Sequence, residues 1–427
     1  MKKKVGVIGA GIMGLTCGYE LLKRGFEVTI FEKDNRVGGM SASFNFDGLE
    51  IERYYHFVCR ADETLFDLLK EFGIFNSLVW KDTRMGFFFN GKLYRWGNPI
   101  YLLTFPGANF FSKMRYGWHI FNTSRRKRWN KLDSRNAVEW IKSSIGEKGY
   151  KIFWKPLFDF KFFQYKNNLS AAWIGTRIKR MGFSRKNVFT ERLGYIEGGI
   201  KQLLDRMSAS IKSLGGVVHL DSEVKKITVS GNRVDSLLAG GVYQSFDIIL
   251  STIPIPYVAD IIPDLPQELL EQYRKIKNIG IICPILKLKR RITENFWLNI
   301  SDKNIDIPGI IEFSNLNPLY GNILYIPFYL PRGHPHYSRP DKYFFGEVYS
   351  CLERINPHFS REWIKSETIN RYEYAQPVCF PKFSDTLPPV KTPVDGLYIA
   401  DTSFYYPQDR SMSESIRQAK QITAEVD

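Results

Sequence analysis

Residues 5–14 read Val5-Gly6-Val7-Ile8-Gly9-Ala10-Gly11-Ile12-Met13-Gly14, and this stretch decides the fold. Val5 to Ile8 form a short apolar run of the kind that becomes a buried parallel strand. Three glycines at GxGxxG spacing follow directly. An amphipathic helix is expected from about Ile12 to Arg24, stopped by Gly25. A second strand is expected at Glu27-Val28-Thr29-Ile30-Phe31, ending on Glu32. The unit is βαβ with its glycines in the first turn. Gly9 permits the tight turn, Gly11 lets a pyrophosphate approach the backbone, and Gly14 lets helix and strand pack closely. The N–H groups of Ile12, Met13 and Gly14 open the helix and point at the phosphates. Glu32 lies 23 residues after Gly9, where a carboxylate accepts from ribose hydroxyls.

Outward from this unit, the chain is long enough for two or three domains: 427 residues, 44% hydrophobic and 24% charged. Disorder, collagen and a coiled-coil rod are excluded as the main architecture. The net charge is +16, which suits an anionic partner. It is concentrated: residues 81–200 carry 24 Lys/Arg against 7 Asp/Glu, and 26 of the 64 aromatics. Cys17, Cys59, Cys283, Cys351 and Cys379 include no CxxC pair, so neither zinc nor a dithiol is indicated. An odd number of cysteines suits a reducing cytosol. The Met1-Lys2-Lys3-Lys4 start precedes a glycine-broken run, read as strand and turn rather than an export signal. No apolar run is long enough for a membrane-spanning helix.

After Glu32 comes Arg36-Val37-Gly38-Gly39, a glycine pair beyond what nicotinamide-binding proteins usually show. With it, Gly9 to Gly39 resembles the extended dinucleotide signature of FAD enzymes in the amine oxidase, protoporphyrinogen oxidase and phytoene desaturase superfamily. UDP-galactopyranose mutases share the same start. The resemblance extends to Tyr195–Leu204 with Gly198-Gly199, to Gly215–Ile227, to Asp247–Pro254, and to Gly396–Asp401 with Ser411–Ser415. It implies an α/β fold: a Rossmann-type FAD-binding domain with a discontinuous α+β substrate domain. The implied pieces are 1–80, 193–255 and 386–427 for FAD, a helical aromatic insertion at 81–192, and a substrate-domain sheet at 256–385.

The same resemblance implies a cofactor shell. Arg36 would contact the pyrophosphate, Met40 and Ser41 would lie near the flavin ring, and Glu32, Lys33, Gly38 and Gly39 would also bind the cofactor. Val224 would bind adenine through its backbone, and Thr252 would lie beside the cofactor. Asp401 would meet the ribityl or phosphate region. Ser411, Met412 and Ser413 would open a helix aimed at the flavin's pyrimidine edge. The loop Thr402–Arg410 departs from the small-residue stretch of amine oxidases and lacks the Cys that tethers flavin in some of them. Non-covalent FAD is therefore expected, and an amine substrate is put in doubt.

The implied activity is oxidation of a C–H in an apolar or lipid-linked small molecule by hydride transfer to flavin. The alternative is a non-redox sugar-nucleotide mutase of the galactopyranose type. His56, after Glu52-Arg53-Tyr54-Tyr55, is a candidate for ring packing or proton transfer; Lys287 and Lys289 are candidates for a lysine–water contact to flavin. Tyr325 and Tyr329 are expected on one face of a single strand, as core. No metal site is expected, since His334 and His336 have no identifiable third ligand. In the insertion, Asn90-Gly91 marks a hairpin turn. Ser124-Arg125-Arg126-Lys127-Arg128-Trp129 is a basic cluster with an adjacent Trp. Cations beside aromatic rings suit a solvated helix face, an anionic membrane surface or a phosphate-bearing substrate. No nucleic-acid motif accompanies the charge. The expected location is cytoplasmic, including the cytoplasmic face of a membrane.

Overall fold

The strand Lys4–Ile8 is flanked on both sides by parallel neighbours, which explains why it has no polar alternation. The structure, a computed structural model, describes residues 2–427. A five-stranded parallel sheet runs in the order Val217–His219, Glu27–Phe31, Lys4–Ile8, Ile248–Ser251, Leu397–Ile399. Register is fixed by pairs such as Val7 with Ile30 and Val7 with Leu250. The chain leaves Lys4–Ile8 toward one side and returns on the other. That strand's carboxyl end is thus the switch point of the sheet, where ligands bind in open α/β folds.

The first helix spans Ile12–Lys23; Arg24 caps it and Gly25 turns away at φ +89°. It packs against the last helix, Met412–Glu425, and against Lys201–Ser213. Arg24 secures the chain's end through the Val426 carbonyl at 2.6 Å. On the other face an antiparallel meander, Val224–Ser230, Arg233–Ala239 and Val242–Ser245, covers the sheet. Leu237 and Phe246 there sit so close to Gly6 that a β-carbon would come within 3.2 Å of each.

A second sheet of eight strands includes Met85–Phe89, Lys92–Trp96, Asn278–Leu288, Trp297–Ser301 and Ile364–Pro377. Asn90 (φ +48°) and Gly91 (φ +70°) turn the first two into the expected hairpin. The strands Leu78–Thr83 and Thr190–Ile196 pair with each other, and the expected boundaries at 80/81 and 192/193 fall inside them. Between them lie the helices of the insertion, several begun by side-chain caps: Asn98 with Pro99 next, Asn109, Asn136 and Ser170.

One expectation needs correction. Tyr325 and Tyr329 do not share a strand: Asn322–Tyr325 and Phe328–Leu330 are separate, and both pair with Asn278–Leu288. Pro327 lies between them and has no N–H to continue a ladder.

Candidate active site

The two glycine turns meet. Gly38 donates its N–H to the Ala10 carbonyl at 2.8 Å, and Gly11 and Gly38 form a parallel bridge. A β-carbon on Gly39 would lie 3.4 Å from the Gly11 Cα. Gly9 takes φ +97° and Gly38 φ +113°, a region that L side chains avoid. Gly14 sits so tightly on the turn that a β-carbon there would come within 1.9 Å of the Gly9 oxygen. Around Gly11, by contrast, no atom lies within 4 Å of the β-carbon position. Gly11 is also the N-cap, and no side chain caps the amides of the first turn.

The remaining residues surround this cradle. Glu32 is buried; its Oε2 accepts the Ala10 N–H at 2.8 Å and its Oε1 the Asp34 N–H at 3.0 Å. Ser222 donates its N–H to the Glu32 carbonyl at 2.8 Å, which brings the chain entering Val224 alongside. Lys33 extends over the Tyr257 ring, 4.8 Å from its centre. Arg36 bonds the Ser43 carbonyl at 3.1 Å and the Asn35 side chain at 2.9 Å. Thr252 Oγ1 donates to the Ile8 carbonyl at 2.9 Å, closing over Gly9. Asp401 is buried, and accepts the Ile255 N–H at 2.9 Å and the Ser403 N–H at 2.8 Å. Burial raises its pKa, against which these backbone donors act. Ser411 caps the last helix by accepting the Glu414 N–H at 3.1 Å, and the Ser413 hydroxyl lies 2.6 Å from that of Thr64.

Met40 and Ser41 follow the second glycine turn. Ser41 Oγ stands 3.4 Å from His56 Nε2. His56 is pushed down to about 4, by burial first and then by Arg410 and Arg180, so the imidazole is neutral at pH 7. Tyr55, next to it, lies against the second sheet. Its hydroxyl is 2.9 Å from that of Tyr329, and its ring meets Trp297 and Tyr325 edge-on at 5.5 and 6.2 Å. The structure therefore brings His56 beside Ser41, and sets its neighbour Tyr55 against Tyr325 and Tyr329 of the second sheet.

Lys287 does not join them. Its ammonium bonds the carbonyl and carboxylate of Asp47, each at 2.7 Å, at the turn of the Ser43–Phe46/Leu49–Glu52 hairpin. Glu52 was passed over as a site residue. It is buried, accepts the Ile200 N–H at 3.0 Å, and lies 3.4 Å from the Tyr320 hydroxyl. It thus ties the Gly198-Gly199 turn to the segment bearing His56. A carboxylate two residues before paired tyrosines, Glu52 then Tyr54-Tyr55, was the available signal.

A family model described as flavin containing amine oxidoreductase matches residues 12–423. The chain belongs to that family. Among curated relatives, it is 36% identical to coproporphyrinogen III oxidase of Staphylococcus aureus over 289 residues, 60% of this chain and 61% of that one. It is 26% identical to the flavin-containing amine oxidase of Oncorhynchus mykiss over 316 residues, 68% and 57% of the two chains. With protoporphyrinogen oxidase 2 of Arabidopsis thaliana it shares 28% over 173 residues, 40% and 33%. The matched stretches thus span between one third and about three fifths of these relatives' own length. Among solved structures, the fold superposes on a putative protoporphyrinogen oxidase from Exiguobacterium sp. 255-15 with a TM-score of 0.77 at 17% identity, covering 100% and 99% of the two chains. Putrescine oxidase bound to putrescine gives 0.74 at 15%, again covering 100% and 99%. The resemblance read from Gly9 to Gly39 is thereby confirmed, together with the fold class.

The flavoprotein's cofactor is FAD, and the residues present fit it. The open position over Gly11, at the uncapped start of the first helix, suits a pyrophosphate. His56 Nδ1, Ser251 Oγ and Ser403 Oγ are buried without a protein hydrogen-bond partner, which leaves polar atoms for a ligand. The five cysteines are all buried, and none lies between residues 402 and 411, in keeping with non-covalent binding.

Proposed function

We propose that this flavoprotein is an FAD-dependent oxidoreductase that oxidises a C–H bond of an apolar or lipid-linked small molecule. The observation that carries the reading is the meeting of the Gly9–Gly14 and Gly38–Gly39 turns, with Ser41 beside His56 and the adjacent Tyr55 packed on Trp297, Tyr325 and Tyr329. FAD would supply the oxidising power for the hydride transfer. The protein's residues bind and orient. Ile12, Met13 and Gly14 would offer amides to the pyrophosphate, with Arg36 near by, and Glu32 and the backbone at Val224 would hold the adenosine end. Ser41, Met412 and Ser413 would border the ring. The aromatic wall excludes water and positions an apolar substrate. His56, neutral at pH 7, accepts or relays a proton through whichever ring nitrogen is unprotonated.

The test is anaerobic. Candidate apolar substrates added to oxidised holoprotein should bleach the flavin band without an added reductant. Turnover only after prior reduction, with no net redox change, would point instead to the mutase alternative.

The helix Phe110–Ser124 supports a membrane-surface setting for the substrate. Phe111 and Trp118 are 77% and 66% exposed, with Phe110, Met114 and Phe121 exposed beside them. Arg125 stacks 3.9 Å over Phe121, and the Arg125–Arg128 cluster follows. Rings at head-group depth with cations behind them suit anionic lipid. No helix among the described residues is long and apolar enough to cross a membrane, so the contact would be peripheral, on the cytoplasmic side. Phe111→Ser with Trp118→Ser should weaken co-sedimentation with vesicles containing phosphatidylserine by about tenfold or more. Neutralising Arg125–Arg128 should weaken it further at low salt. Equal pelleting of both variants and wild type would remove this reading.

A further inference from the structure

Lys161, in the helix Lys155–Phe162, is 2% exposed and has no hydrogen-bond or ion-pair partner among the described residues. Its ammonium lies 4.5 Å from the centre of the Tyr329 ring. Burial, then the charge of Arg177, holds its pKa well below the ordinary lysine value, with Arg410 acting the same way and Asp409 opposing. A buried amine without a partner is costly, and its surroundings make the imbalance larger. Arg177, Arg180 and Arg410 stand in the same region against two carboxylates, both already engaged. Arg177 pairs with Asp409 at 3.2 Å, and Gln376 donates to Asp409 at 3.1 Å. Arg180 forks onto Asp62 at 2.9 and 3.2 Å. Arg410 bonds the Ala375 carbonyl.

This region adjoins the residues proposed to border the flavin. Tyr329, beneath the ammonium, shares a hydrogen bond with Tyr55, which precedes His56 and its contact to Ser41. Three arginines and the buried Lys161 amine share two carboxylates that are already engaged, so no anion is left over for Lys161. We propose that Lys161 is a substrate-binding residue that takes a carboxylate of the substrate, which supplies the missing counter-charge at the aromatic wall. The inference rests on the oxidoreductase reading and narrows its substrate to an apolar molecule bearing an acid group. The ammonium–carboxylate pair would form away from water, where charge-assisted hydrogen bonds are strongest.

The test uses ligands that need not react. Oxidised holoprotein is titrated with octanoate and phenylacetate, and separately with octanamide and phenylacetamide, while the flavin spectrum and the heat of binding are followed. Wild type should bind each acid at least about tenfold more tightly than its amide, a difference worth about 1.4 kcal/mol. Lys161→Met should abolish that preference while FAD content stays at the wild-type value and the melting temperature does not fall; Lys161→Arg should keep part of it. Equal binding of acid and amide to wild type, or an unchanged preference in Lys161→Met, would overturn the proposal. So would weakened FAD affinity in Lys161→Met without loss of acid preference, because the anion would then be the cofactor. Should Lys161→Met misfold, Lys161→Gln gives the same readout. Lysine-dependent acid binding with no flavin bleaching by any acid would leave this site standing and remove the redox reading. Bleaching without acid preference would do the reverse.

Discussion

Gly11→Ala is expected to give a protein that folds normally and holds FAD about a hundredfold more weakly, whereas Gly14→Ala should lose both cofactor and stability. The two glycines stand three residues apart in one turn and differ in what lies above them. A β-carbon on Gly11 meets no protein atom within 4 Å, so the apo chain does not register it. It projects into the space where a pyrophosphate would contact the helix amides, and a hundredfold loss corresponds to about 2.7 kcal/mol. A β-carbon on Gly14 meets the Gly9 oxygen at 1.9 Å and Thr252 Oγ1 at 2.9 Å. The first of these is backbone, so the helix Ile12–Lys23 must move off the turn. Overpacking of that kind costs about 1–3 kcal/mol. Melting of apo protein and FAD fluorescence titration separate the two effects. Equal FAD affinity in Gly11→Ala and wild type would contradict the placement of the pyrophosphate.

Asp409→Asn should destabilise the folded protein by about 3–5 kcal/mol at pH 7, the usual loss when one partner of a buried charge group is removed. Burial alone would raise the Asp409 pKa, but Arg177, Lys161, Arg410 and Arg180 together outweigh burial and hold it below the ordinary value. A carboxyl whose folded pKa is depressed contributes stability above its unfolded pKa, near 3.9, and loses it as pH falls through the folded value. The penalty of Asp409→Asn should therefore be full at neutral pH and shrink in acid. Urea unfolding at pH 7 and near pH 3 measures both. A constant penalty across that range would mean that Asn disturbs packing rather than charge.

The parts of this site that were legible in the sequence are those whose geometry is local. Gly9, Gly11, Gly14 and Glu32 lie within one βαβ unit, so spacing alone places them. Gly38 and Gly39 are recognisable because the second turn must close on the first. Parts that depend on distant pairing were not legible. Lys287 lies in a strand whose residues are nearly all buried, and nothing nearby in sequence reveals that Asp47, 240 residues away, takes its ammonium. Lys161 stands in a basic aromatic run that resembles a solvated face; only tertiary packing buries it against Tyr329 and Arg177. Tyr325 and Tyr329 were placed on one strand because period-2 counting does not register the break at Pro327, yet both reach Tyr55 from separate strands.

The claim underlying all of this is that residues near 9, 38, 224, 252 and 401 grip one FAD. The most direct measurement is the cofactor released by acid from purified protein, read by absorbance against chain concentration. One FAD per chain in the soluble fraction is the result expected. Protein that is colourless, and remains so after incubation with FAD and gel filtration, would contradict the account.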